Sequence, residues 1–350
     1  MNMRKEFNSK MAIVLLTIPI TLSLIGGFNS PVAASAPLPK VLWLGTNPPG
    51  SLFYILGGGV AKVISQHTQM DVKVKSLGGP SEWMALMGNK EVDLIIVNAS
   101  TGRMGYEGLY EFKEATKGKG YRFMRTILAG GPIGLGMLVA GDTDIKRILD
   151  LKKRKVTYPY KVHVTNNLHI EVMLASAGLT PNDIVHVPVT TYPSGVRTVI
   201  ERRAEATLGS VGSGVIEELR AARGALFIPI ETDAEAVKRM QALEPITLIV
   251  YFGPPIPGFV EKTPCIGFSN LLVARETLSD DAVYIIAKIL WEKYQELFPI
   301  HPSFKDWDSK NFATTKGLSI PYHQGAIRFY KEKGLWTDEM EKFQQGLLAR

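Results

Sequence analysis

The residues of this 350-residue chain that could do chemistry include six histidines and one cysteine. Their spacing assembles no recognisable catalytic device. His67, His163, His169, His186, His301 and His323 contain no H-E-x-x-H and no pair four residues apart that would turn two imidazoles toward a metal. No G-x-S-x-G elbow presents a serine, no Walker loop or dinucleotide G-x-G-x-x-G follows a strand, and no pair of acids is marked out for glycoside chemistry. Cys265, in the apolar stretch TPCIGFSNLLV, reads as a small buried residue, because a nucleophilic thiolate needs a histidine partner. What remains are short polar and aromatic side chains at turns, which could hold a small molecule rather than transform it. They fall in loops between an apparent strand and an apparent helix: Thr46, Ser51, Phe53 and Tyr54 in the first, then Gly79 and Ser81, then Asn98. A later set comprises Tyr160, Lys161, His163 and Thr165, then Tyr192, then Val211 and Gly212. Ligands of open α/β sheets bind beyond the carboxyl ends of strands, where helix N-termini offer free N–H groups and a partial positive charge suited to anions.

The elements that must position these loops alternate between strand and helix. Residues 41–44 (VLWL) read as an apolar strand, followed by a Gly/Pro turn and by Leu56, Val60, Val63 and Ile64 at helical spacing. Gly57, Gly58 and Gly59 lie inside that helical pattern and point to close helix packing rather than phosphate binding. DVKVK at 71–75 alternates as a strand, Gly78-Gly79-Pro80 turns, Ser81 is expected to cap a short helix, and 92–97 (VDLIIV) is a buried strand. The grammar restarts at 155–158, with a helix over 164–177 ended by Gly178, a strand at 184–187, a helix through 197–202 and a strand at 206–208. Short crossovers of this kind predict parallel strand pairing and two α/β units joined near 130–140. The chain from Leu278 onward reads as helical, and 266–273 as a strand returning to the first unit.

Composition excludes other classes. Hydrophobic residues make up 45% and charged residues 21%, an ordinary globular balance, and the net charge of +7 is spread rather than gathered into a nucleic-acid-binding stripe. The densest basic run, KKRK at 152–155, abuts an apparent strand and reads as its solvated entry. The N-terminus differs: Arg4, Lys5 and Lys10 precede an apolar run from Met11 to Ile25 and the small-residue stretch PVAASA, the three parts of a secretory signal. Residues 1–34 are expected to be removed on export to the periplasm.

The first turn, GTNPPGSLFYILGGGVAKVI, and the following SLGGPSEWMALMGNKEVDLIIVNAS resemble the TAXI family, the extracytoplasmic receptors of one class of TRAP transporters. The similarity continues through DLKKRKVTYP, LTPNDIVHVPVTTYPSGVRTVIERRAEATLGSVGS and SIPYHQGAIRFYKEKG. It implies an α/β, two-lobed periplasmic binding protein fold of type II, with two interlobe crossovers. On that basis residues 35–134 with 266–350 form one lobe and 135–265 the other. It also implies a small organic anion, a carboxylate or amino acid, captured by a monomer and delivered to a TRAP-type membrane permease, without cofactor or metal. The resemblance places aromatics of the Phe53–Tyr54 kind in the pocket. A ligand-sensing module for a membrane sensor, or an enzyme on the same fold, are the alternatives.

One loop departs from the family pattern. Where the family has a glycine-rich P-G-S-G-T turn, this chain has Tyr160, Lys161, Val162, His163 and Val164, with Thr165 retained. Bulky residues in place of glycines predict a changed ligand, with Lys161 or His163 supplying charge through a side chain.

Overall fold

The computed structural model describes residues 37–350. The segment read as an export signal lies outside the described residues. Strand β1 (Val41–Thr46) buries Leu42 and Leu44 and turns Val41 and Trp43 to solvent, the period-2 alternation of a half-covered strand. Helix α1 (Leu52–His67) starts at Ser51, whose side chain accepts from the N–H of Tyr54, and buries Leu56, Val60, Val63 and Ile64. Gly57 faces the sheet so closely that a Cβ there would lie 2.3 Å from Thr46 Cγ2, which is the packing role expected of the glycine run. Strand β2 (Asp71–Ser76) leads to α2 (Pro80–Gly88). Gly79, not Ser81, stands at the cap of α2, because Pro80 already occupies its first turn, where the missing N–H costs nothing. The fully buried β3 (Leu94–Asn98) runs directly into α3 (Ala99–Glu107), and the short α4 (Phe112–Ala115) precedes the 17-residue β4 (Met124–Ala140).

The second series follows the predicted grammar. It runs β5 (Lys155–Tyr160), α5 (Thr165–Ser176), β6 (Val185–Val189), α6 (Tyr192–Ile200), β7 (Ala206–Ser210) and α7 (Gly214–Arg223). Gly178 takes φ +73° just beyond α5, the left-handed turn expected there. Strand β8 (Ala225–Ile228), helix α8 (Ala234–Leu243) and strand β9 (Leu248–Phe252) precede the long return strand β10 (Thr263–Arg275). Helices α9 (Asp280–Lys293), α10 (Gln324–Glu332) and α11 (Asp338–Leu348) complete the chain. The basic run at 152–155 enters β5 as read, with Lys152 against Asp183 and Arg154 against Asp144 and Glu205. Cys265 is buried, and burial pushes its thiol up to about 12.

The strands form one sheet in the order β2-β1-β3-β10-β4-β7-β5-β6, with β8 on β4 and β9 on β10. Pairing of β1 with β2 and β3, and of β5 with β6 and β7, is parallel as expected. The long β4 and β10 are antiparallel to their neighbours and serve both halves of the sheet. The β3 side of the pair meets residues 270–274, whereas β7 meets residues 135–139. Between the halves their mutual register slips at Ser269/Asn270, opposite Gly130 and Pro132. Gly130 has Trp307 packed against it, and a Cβ would meet the indole at 2.3 Å.

Candidate functional site

A cavity of about 40 Å³ lies between the two halves, and its wall is built from helix starts. Ser51, Leu52 and Phe53 open α1, Pro80 and Trp83 belong to the first turns of α2, and Asn98 and Thr101 start α3. From the other half come Thr165 and Asn166 of α5, Tyr192 of α6, and Ser213, which precedes α7. Six helices, α1, α2, α3, α5, α6 and α7, therefore turn their N-termini toward one space. Each brings N–H groups without an intrahelical partner and about half a positive charge. Ile96 and Val97 of β3, Ile133 and Leu135 of β4, Leu208 and Ser210 of β7, and Asn47 and His163 from the loops complete the wall. Among the described residues, no Lys, Arg, Asp or Glu lines the cavity.

His163 is the most constrained of the polar groups. Its Nδ1 accepts the backbone N–H of Tyr192 at 2.7 Å, so the proton of the neutral ring sits on Nε2. Burial drives the imidazolium form away and lowers the pKa to about 4. Nε2 is buried and has no partner among the described residues, and so do Thr101 Oγ1, Asn166 Nδ2 and Ser210 Oγ, all from residues lining the cavity. Buried polar atoms left open in one place are unusual in a finished interior and mark a place where a polar guest or water completes the bonding. Other lining groups are engaged and hold the frame. Asn98 Oδ1 accepts from Thr101 N at 2.8 Å, the Trp83 indole donates to Asn47 Oδ1 at 3.3 Å, and the Tyr192 hydroxyl accepts from Ser210 N at 3.0 Å.

Residues 44–334 match the profile of the NMT1-like family. The chain belongs to the NMT1-like family. Its structure is similar to that of PhnD1 from Prochlorococcus marinus (MIT 9301) in complex with methylphosphonate, at 13% identity and TM-score 0.50, over 85% of this chain and 100% of that chain. The periplasmic aliphatic sulphonate binding protein SsuA from Escherichia coli aligns at 12% identity and TM-score 0.44, over 89% of this chain and 100% of that chain. The NMT1-like chain has a two-domain α/β fold that matches the general architecture of type II periplasmic binding proteins.

In this NMT1-like chain, the predicted loops do converge, but not every side chain named from them faces the cavity. Ser51, Phe53, Asn98, His163, Thr165 and Tyr192 line it. Thr46 is buried beneath α1 with its hydroxyl on the carbonyl of Asn47, whereas Tyr54 is exposed. Gly79 packs against the carbonyl of Val162 at the seam between the halves, and Ser81 lies off the cavity. Tyr160 points into the core, where its hydroxyl meets Thr157 at 3.0 Å and Thr207 at 2.8 Å. Lys161 is exposed and off the cavity, so the expectation that it meets the ligand has no geometric basis, and His163 lines the cavity as a neutral donor rather than a cation. Val211 and Gly212 line a second, neighbouring cavity. Sequence reasoning passed over Asn47, Trp83, Thr101, Asn166 and Ser210 as wall residues. Asn47 was findable, since it stands in the first Gly/Pro turn, and Ser210 closes a strand one residue before a loop already singled out.

A polar cluster ties the halves of the NMT1-like chain together away from the cavity. Glu244, at the end of α8 and fully buried, accepts from Arg103 Nη2 at 3.0 Å and from Ser100 Oγ at 2.9 Å, both donors belonging to α3. His169 of α5 reaches the same Ser100 hydroxyl at 3.2 Å. Among the described residues, no group of His, Cys, Asp or Glu could hold a metal ion, and no helix is long and apolar enough to cross a membrane.

Proposed function

We propose that this chain is an extracytoplasmic receptor that closes around a small organic anion and delivers it, unaltered, to a membrane permease of the TRAP type. The observation that carries the reading is the convergence of six helix N-termini on a cavity whose open polar groups include Nε2–H of His163 and the amide of Asn166. Helix ends supply positive potential without a cation, and fixed donors satisfy a carboxylate's lone pairs. Among the described residues, the small cavity's lining has no acid to neutralise an α-ammonium group beside the head, which favours a simple carboxylate over an amino acid. The TRAP partner, the monomeric state and the removal of residues 1–34 rest on the sequence resemblance and on the basic–apolar–small N-terminus. The lobes are proposed as 35–134 with 266–350, and 135–265, closing about β4 and β10.

A thermal-shift screen against organic acids, followed by calorimetry, tests the reading. A ligand held between two lobes binds only the native state, so a hundredfold excess over its dissociation constant adds about 2.7 kcal/mol and raises Tm by several degrees. Mass spectrometry then recovers the ligand unchanged. A product formed catalytically, or stabilisation by amines rather than acids, would overturn it.

A further inference from the structure

The cavity ringed by helix ends is too small to be a whole ligand site. Its 40 Å³ corresponds to about three or four ordered waters. Beside it lies a second cavity of about 710 Å³, a size within the range of dedicated small-molecule pockets. The two share Leu52, Ile133 and Ser213, each of which lines both. The larger space changes character abruptly. Ile55 of α1, Ile216 of α7, Pro132 of β4, Phe252 at the end of β9, and Pro255, Ile256 and Pro257 in the turn beyond it give it a mainly apolar lining. Its charged lining residues are Glu217, Lys305 and Asp306. Both halves of the molecule contribute, so closure around the small cavity also forms the large one.

We infer that the larger cavity is a subsite for the apolar tail of the same ligand, which is therefore an amphiphilic anion: a compact oxyanion head among the helix ends and an alkyl or aryl chain along Ile55, Ile216 and Ile256. The inference rests on the anion-capture reading and deepens it. Charge complementarity sets the orientation, since the head space offers positive helix ends and open donors while the tail space offers hydrocarbon. Ile133, on a strand common to both halves, forms part of both walls.

Calorimetry on the full chain with acetate, butyrate, hexanoate and octanoate, and with the matching alkanesulfonates, tests it. Each methylene buried in the tail space strengthens binding about three- to fourfold. Ile256 is half-buried on the turn after β9, and the uncharged Ile256→Asn is expected to flatten the gain with chain length, costing octanoate more affinity than acetate. Binding of the short members with no gain along the series overturns the tail subsite while anion capture stands. A gain that persists undiminished in Ile256→Asn places the chain elsewhere and also overturns it. Failure of every member, short and long, overturns the underlying reading and the subsite with it.

Discussion

The backbone N–H of Tyr192 donates to Nδ1 of His163 at 2.7 Å, across the space between the starts of α6 and α5. That bond fixes the tautomer, and burial keeps the ring neutral down to about pH 4. His163 therefore meets a ligand as an Nε2–H donor and not as a cation. Affinity for a carboxylate is expected to be flat from pH 5.5 to 8.5, and His163→Ala to weaken binding about tenfold at every pH in that range. Calorimetry across the range checks both, and an affinity that declines through neutrality would mean a protonated ring.

Stability, in contrast, depends on pH. The folded-state pKa values of His163 and His169 are lowered, to about 4 and about 3, by burial. An unfolded histidine takes up its proton near pH 6.5, so the unfolded chain binds more protons below that value and stability falls as pH falls. The contribution is complete above pH 6.5 and declines between 6.5 and 4 by about 1.4 kcal/mol per pH unit for each ring. Urea unfolding at pH 7.5, 5.5 and 4.5 measures the slope, and His169→Phe, uncharged at every pH, is expected to lose its ring's share.

Thr101 and Ser210 test whether open polar atoms belong to a ligand. Their hydroxyls are buried and have no partner among the described residues, so Thr101→Val and Ser210→Ala remove no hydrogen bond made there. Tm without ligand is expected to stay level or rise, while affinity for a bound acid falls roughly tenfold where the hydroxyl meets the anion. A variant that loses Tm and keeps affinity would assign the hydroxyl to the fold.

Arg103 and Glu244 join α3 to the end of α8. Removing the guanidinium in Arg103→Met leaves a fully buried carboxylate with only the Ser100 hydroxyl, and a loss of about 3–5 kcal/mol is expected in urea unfolding. The double variant Arg103→Met/Glu244→Leu is expected to recover most of it, because the stranded charge is gone as well.

The strand and helix series was legible because its apolar runs are short and its turns carry Gly, Pro and capping residues, as in β1 to α1 and α5 to Gly178. The cap of α2 was misplaced by two positions because a glycine cap has no side chain to advertise it. The convergence of Ser51, Asn98, Thr165 and Tyr192 was legible for the same reason that they cap or open helices: strand ends bring helix starts together. Side-chain direction was not. Tyr160 and Lys161 are neighbours on one loop, yet one is sealed in the core and the other reaches solvent, and nothing in their types decides which. Trp83 sits one turn into α2 on its apolar face, where a wall residue and a core residue look alike. β4 and β10 were visible only as a junction and a return strand, since their shared role depends on a pairing between residues more than a hundred positions apart.

A positive field made of six backbone ends has no side chain to titrate and none to lose by mutation. Its sign follows from chain direction alone, because each helix is entered from the carboxyl end of a strand or from the loop beyond it. Substitutions at Thr101, His163 or Ser210 can change which guest fits, but reversing the polarity of the chamber would require reversing the path of the chain. The preference for negative charge is thereby separated from the choice among negatively charged molecules, the first written in topology and the second in a few exchangeable side chains.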